Sequence, residues 1–298
     1  MNMGSRKHVV LADIDNTLYD WGRFFAPSFR AMCHALSREL NLPFDDLVSD
    51  FRSVYSHHDS LEYAFSIQEL NSVKRLSSRE VENLVRIGRG AFSKVQKFHL
   101  KPYPGVQEGL EFIHKHGHLL FCVTNSPLYL AQKRLFELRL DKYVSGIVAW
   151  EGIGPSEAVN VKYVSGSKRK RTRIELVATF HKSESKPNPY PYTLALDMLP
   201  KDVGQIWAIG DSRNKDLSPA SSLGIQTIWA KYGAVFDPQT KDNQTLLQIT
   251  NWSNEEVAHT YDHQSFQPDF QVESFSEVSQ LLPKRNLTLL DLMEDSIE

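Results

Sequence analysis

The sequence predicts an α/β fold, a parallel β-sheet sandwiched by helices, and three features carry that prediction. Short apolar, often β-branched runs recur at residues 8–12, 118–123, 143–149, 205–209 and 225–230, the composition of strands buried on both faces. Helical patterns separate most of them, and strands that alternate with helices build a parallel sheet whose ligands bind beyond the carboxyl ends of the strands. At 298 residues, 41% hydrophobic and 23% charged, the chain suffices for one large domain or two modest ones.

The first strand, HVVLA, runs straight into Asp13, Ile14, Asp15, Asn16 and Thr17. Residues 24–100 then break the alternation with helix alone. Phe25, Phe29, Met32, Leu36 and Leu40 form one apolar stripe, Phe44, Leu47, Val48, Phe51, Val54 and Tyr55 a second, and Val81, Leu84, Val85, Phe92, Val95 and Phe98 a third. Ser77 and Glu80 fit a capping box that opens the last helix. This predicts a helical cap domain over 21–100, set between core segments 1–20 and 101–298. Helices are predicted at 105–116, 127–138 and 189–199 around the later strands. Between them, residues 157–182 alternate apolar and polar side chains on either side of a basic tip, which predicts a β-hairpin flap. Residues 233–266 are polar and irregular and carry no predicted element, and 268–282 read as a last short strand and helix.

Four segments carry chemistry. Side chains two apart on an extended strand share a side, so Asp13 and Asp15 can face one pocket, where two close carboxylates need a cation or a shared proton; the competing reading is an acidic turn. Thr124 and Asn125 end the second strand before a helix start and suit an anionic oxygen, or a plain helix cap. Lys186 precedes a proline-rich helix start and offers a compact charge to phosphate oxygens, as any surface lysine would. Gly210, Asp211 and Asp216 close another strand with oxygen ligands that suit Mg²⁺.

The ordered set DxDxT, TN, K and GDxxxxD resembles the motifs of the haloacid dehalogenase-like (HAD) hydrolase superfamily, with DIDNTL and GDSRNKD matching most closely. The resemblance covers about residues 6–23, 101–151, 183–232 and 268–282 and implies a Rossmann-like core. It implies that Asp13 is the nucleophile, forming an aspartyl-phosphate, and that Asp15 is the general acid and base. It further implies Mg²⁺ held by the Asp13 side chain, the Asp15 carbonyl and Asp211, with Asp216 as a further or outer ligand, and a phosphoryl group bound by Thr124, Asn125 and Lys186. An aspartate at position 15 points, within the superfamily, to phosphatases and phosphomutases, and a cap between the first two motifs to small phosphorylated metabolites. DIDNTLYD is similar to the opening of nucleotide 5'-monophosphatases. A phosphomutase and a HAD-fold binding protein without turnover stay open as alternatives. Arg52, Tyr55, His57, His58 and Glu62 are candidates for reading the leaving group.

The net charge of -2 argues against nucleic acid or membrane surfaces as bulk partners, and no apolar run is long enough to span a bilayer. The basic run 168–171 is read as a solvated hairpin tip, and His114, His116 and His118 straddle a helix end and are not expected to share a metal. Cys33 and Cys122 lie in apolar surroundings and read as buried thiols of a cytoplasmic protein. A homodimer remains open.

Overall fold

A computed structural model of the chain describes residues 6–154, 174–234, 237, 239–250 and 266–285. Its strands are β1 (Lys7–Ala12), β2 (Leu119–Pro127), β3 (Gly146–Trp150), β4 (Leu176–Phe180), β5 (Val203–Gly210), β6 (Gln226–Ala230) and β7 (Phe270–Val272). Its helices are α1 (Trp21–Leu40), α2 (Phe44–His58), α3 (Ser78–His99), α4 (Val106–Lys115), α5 (Leu128–Glu137), α6 (Tyr190–Asp197), α7 (Ser218–Ser221), α8 (Lys241–Ile249) and α9 (Val278–Leu281).

All seven strands pair in parallel in the order β4-β3-β2-β1-β5-β6-β7. The central strand β1 is apolar throughout its second half because both of its faces are covered. Val10 and Ala12 join the layer built by Leu110 and Ile113 of α4 with Ala131 and Leu135 of α5. Val9 and Leu11 join the opposite layer with Tyr192 and Ala195 of α6 and Ala220 of α7. The strand order reverses between β1 and β5, so their carboxyl ends diverge into the crevice where open α/β sheets bind ligands.

The segment between β1 and α4 is helical, as its stripes predict. The Asp20 carboxylate caps α1 by accepting from the Arg23 amide at 2.8 Å, and Ser77 and Glu80 form the expected box at the start of α3. Phe29 of α1 meets Phe51 of α2 edge to face, with ring centroids 5.2 Å apart. Among the described residues no helix is long and apolar enough to cross a membrane.

Residues 176–180 make β4, which pairs in parallel with β3 and ends the sheet among the described residues. Leu176 and Val177 are exposed while Phe180 is buried. The other arm of the predicted hairpin and its basic tip lie outside the described residues. The 233–266 segment also contains α8, capped by Thr240 and packed through Thr245, Leu246 and Ile249. Arg30 of α1 grips it, donating to the Asp242 carboxylate at 2.9 Å and the Thr245 hydroxyl at 2.8 Å.

The helical segment rests on its aromatic interior. Phe29→Ala should lower the unfolding free energy by about 3–5 kcal/mol, whereas Phe98→Ser, at a side chain that is 72% exposed, should change it by less than about 0.5 kcal/mol. Urea denaturation followed by circular dichroism measures both.

Candidate active site

The ends of β1, β2 and β5 and the loop before α6 bring Asp13, Asp15, Thr124, Asn125, Lys186, Asp211 and Asp216 to one cavity of about 340 Å³. All seven residues that the four motifs predict therefore line the same pocket.

Lys186 is its centre. The buried ammonium donates to Asp13 Oδ1 at 2.6 Å, Asp216 Oδ1 at 2.6 Å and the Val123 carbonyl at 2.8 Å, which uses all three of its protons. Burial opposes its charge, but Asp13 and Asp216 more than offset this and hold its pKa well above the usual lysine value. Its backbone is fixed by Asn125, whose side-chain NH₂ donates to the Lys186 carbonyl and whose Oδ1 accepts from the Lys186 amide, both at 2.9 Å. Asn125 thus clamps the lysine in addition to facing the cavity. The Thr124 hydroxyl accepts from the Ser126 amide at 3.0 Å, leaving its proton for another acceptor.

The threonine of DxDxT has a structural reason. The Thr17 hydroxyl donates to Asp13 Oδ2 and accepts from the Asp211 amide, each at 3.2 Å, joining the loops after β1 and β5. Asp216 folds back over the end of β5, accepting from the Ser212 amide at 3.0 Å. Gly210 makes that possible, because a Cβ there would lie 2.5 Å from that of Asp216. Gly233 likewise admits the tight turn at Asn16, whose carbonyl oxygen would stand 1.7 Å from an added Cβ.

One carboxylate oxygen from each of Asp13, Asp211 and Asp216 falls within 4.8 Å of the others. Three acids surround the Lys186 ammonium, with Lys215 also on the cavity wall, and no described group donates a hydrogen bond to the Asp211 carboxylate. Burial raises the Asp13 pKa to about 7 against the pull of Lys186, and burial together with Asp216 and Asp13 drives Asp211 well above the carboxylate range. Hard oxygen donors with surplus negative charge fit a divalent cation such as Mg²⁺.

Asp15 has different company. Its Oδ1 accepts from the Tyr19 hydroxyl at 2.6 Å and from Arg134 at 3.3 Å, and its Oδ2 from the Ser126 hydroxyl. Burial raises its pKa, Arg134 pulls the other way and Glu62 adds to the rise. Arg134 and Ser126 were not singled out from the sequence. The available signal for Arg134 is a charge on the buried stripe of α5, between Ala131 and Leu135. Of the five candidates for reading the leaving group, only Glu62 lines this cavity. Tyr55 is buried in the aromatic interior, and the His58 ring pairs with Glu69 at 2.6 Å. Trp21, Trp150, Asn243 and Leu246 complete the wall.

A model of the haloacid dehalogenase-like hydrolase family matches residues 7–224, and a HAD-hydrolase-like model matches 184–278. The chain is 26% identical over 240 residues to an N-acetylmuramic acid 6-phosphate phosphatase of Pseudomonas putida, covering 80% of this chain and 89% of that one. It is 21% identical to a glyceraldehyde 3-phosphate phosphatase of Pyrococcus abyssi, over 76% of this chain and 82% of that one. A phosphoglycolate phosphatase of Cupriavidus necator is 28% identical over 131 residues, and the chain spans only 44% of that enzyme's length. Among solved structures, a HAD phosphatase from Thermococcus onnurineus superposes with a TM-score of 0.52 at 16% identity, covering 94% of this chain and 100% of that one, a likeness of fold.

The acid cluster ties metal affinity to pH. A carboxyl whose pKa rises on folding stabilises the fold most below its unfolded value, and that contribution is lost as the pH climbs through about 7, the folded value at Asp13. A cation must displace the same protons. Mg²⁺ should therefore raise the melting temperature more at pH 8 than at pH 5.5, with the difference abolished in Asp211→Asn; differential scanning fluorimetry at fixed ionic strength reads both.

Proposed function

The chain belongs to the haloacid dehalogenase-like hydrolases, and from that membership and the site we propose that it is a Mg²⁺-dependent phosphomonoester hydrolase acting through a covalent aspartyl-phosphate. The observation that carries this reading is the Lys186 ammonium seated between Asp13 and Asp216, with Asp211 in ligand reach. A carboxylate attacks a phosphate dianion only where the mutual repulsion is offset, and this is the place in the molecule built to offset it.

In this reading the Asp13 carboxylate, held by Lys186 and Thr17, attacks phosphorus as the bond to the leaving oxygen breaks. Asp15 gives its proton to that oxygen. Asp15 then takes a proton from water, whose oxygen attacks the phosphorus of the intermediate, breaking its bond to Asp13 and releasing phosphate. Thr124 and a remaining Asn125 proton hold the phosphoryl oxygens, and the nearby Lys186 charge offsets theirs. Asp13, the Asp15 carbonyl, Asp211 and Asp216 would hold Mg²⁺, which when bound supplies positive charge to the phosphoryl oxygens.

The pocket supports a small substrate. Its volume of about 340 Å³ is at the small-metabolite end of ligand sites. Residues 21–100 act as a cap, since Trp21, Ser60, Leu61 and Glu62 form part of the wall. We read the substrate as a small phosphorylated metabolite. A nucleoside 5'-monophosphate is the specific version, for which Trp21, Trp150 and Tyr103 supply flat apolar walls.

Purified protein should release phosphate from an aryl phosphate with Mg²⁺ and not with EDTA, and Asp13→Asn should lower the rate by about a thousandfold or more. A panel of nucleoside 5'-monophosphates, phosphoglycolate and sugar phosphates ranks substrates by kcat/KM. Equal rates for wild type and Asp13→Asn across the panel would overturn the proposal.

A further inference from the structure

Glu62 sits in the turn that follows α2, far in sequence from every motif of the site. It nevertheless reaches the middle of the site. Glu62 Oε1 accepts from the Trp21 indole N–H at 2.8 Å and from the Arg134 guanidinium, and Oε2 accepts from the Ser126 hydroxyl at 2.9 Å. Ser126 and Arg134 also hold opposite oxygens of Asp15, beside Tyr19. The side chains of Glu62 and Arg134 are only 10% and 5% exposed.

Ser126 and Arg134 therefore bridge the two carboxyl groups, and each holds one oxygen of Asp15 and one of Glu62, so the position of Asp15 is tied to that of the turn after α2.

We propose that Glu62 is the positioning residue for proton donation by Asp15. By anchoring Ser126 and Arg134 it orients the Asp15 carboxyl toward the leaving oxygen, so the acid step requires the turn after α2 to be docked. In that step the Asp15 O–H bond breaks and its proton passes to the leaving oxygen as the P–O bond breaks. The Ser126 hydroxyl proton turns to the new Asp15 carboxylate, while Glu62 keeps its bonds from Trp21 and Arg134, so neither acid is stranded. Lys182 reinforces the docking from the core side, donating to the carbonyls of His58 and Asp59 and pairing with the Asp59 carboxylate at 3.0 Å. The inference rests on the phosphatase reading and on Asp15 as its acid.

The test is the dependence on the leaving group. Nitrophenolate departs without a proton, whereas an alkoxide needs one. Rapid-quench measurement of first-turnover leaving-group release, with Mg²⁺, should show Glu62→Gln slowing an alkyl monophosphate by about tenfold or more, within the usual general-acid contribution, and nitrophenyl phosphate by less than about twofold. The steepened dependence on leaving-group pKa is a signature that a merely structural role would not produce. Should Glu62→Gln fail to fold, Trp21→Phe, which removes one anchor of Glu62, should bias the two rates in the same direction. Equal slowing of both substrates, or of neither, with an active wild type overturns this inference alone. A wild type that turns over no monoester overturns the phosphatase reading beneath it.

Discussion

One ammonium group decides whether the strand ends can share a site. Asp13, Asp211 and Asp216 come from two strand termini, and their carboxylates would repel one another as they converged. Lys186 sits between two of them and donates its third proton to the Val123 carbonyl, so part of the charge is offset without leaving a donor unpaired. A lysine suits the position where an arginine would not, because three acceptors around a point match a compact ammonium rather than a planar fork. Asn125 then fixes the lysine backbone from both sides. The second and third motifs are in this sense a single device, the end of β2 serving to hold the loop that carries the charge.

Parallel topology explains why everything else gathers on the same edge. Each strand of a parallel sheet ends on the same side, so a segment inserted after a strand must start beside the pocket. The helical segment leaves the chain after β1 and brings Trp21 and Glu62 to the wall; the segment after β6 brings Asn243 and Leu246. Arg30 links the two through Asp242 and Thr245. The rim of the site is therefore built by two separate insertions that brace each other. The site floor belongs to the core, where the Trp229 indole N–H donates to the Asp211 carbonyl and the Tyr232 hydroxyl to that of Thr17, at 2.9 and 2.8 Å.

How much of this the sequence discloses depends on whether a residue's reason is local. The strands, the helical stripes and the Ser77–Glu80 box rest on periodicity and short spacings, and they are legible. Asp13, Asp15, Thr124, Asn125, Lys186, Asp211 and Asp216 are legible as an ordered set, since each is tied to a strand end or helix start. That Leu176–Phe180 joins the sheet beside β3 is not legible, because a strand's neighbour is set by residues distant in the chain. Helix α8 is hidden by its polarity, its buried face amounting to Thr245, Leu246 and Ile249. Arg134 is hidden for a different reason: its partners are Asp15, Ser126 and Glu62, contributed by three other places in the chain.

The same comparison explains how two identical side chains, two residues apart, come to differ. Asp13 lies among the lysine, Thr17 and the other acids of the cluster, an environment that favours an oxygen anion once a cation is present. Asp15 faces Tyr19, Ser126 and Arg134, and it shares the last two with Glu62. Two carboxylates against one guanidinium reach neutrality on taking up one proton, whereas the Asp13 side is arranged to take up a cation. Strand geometry puts both acids at the pocket, but nothing within DxD distinguishes them; the distinction is imposed by β5 and the lysine loop on one, and by α5 and the helical insertion on the other. A reaction that needs an anionic nucleophile and a proton donor side by side requires that division.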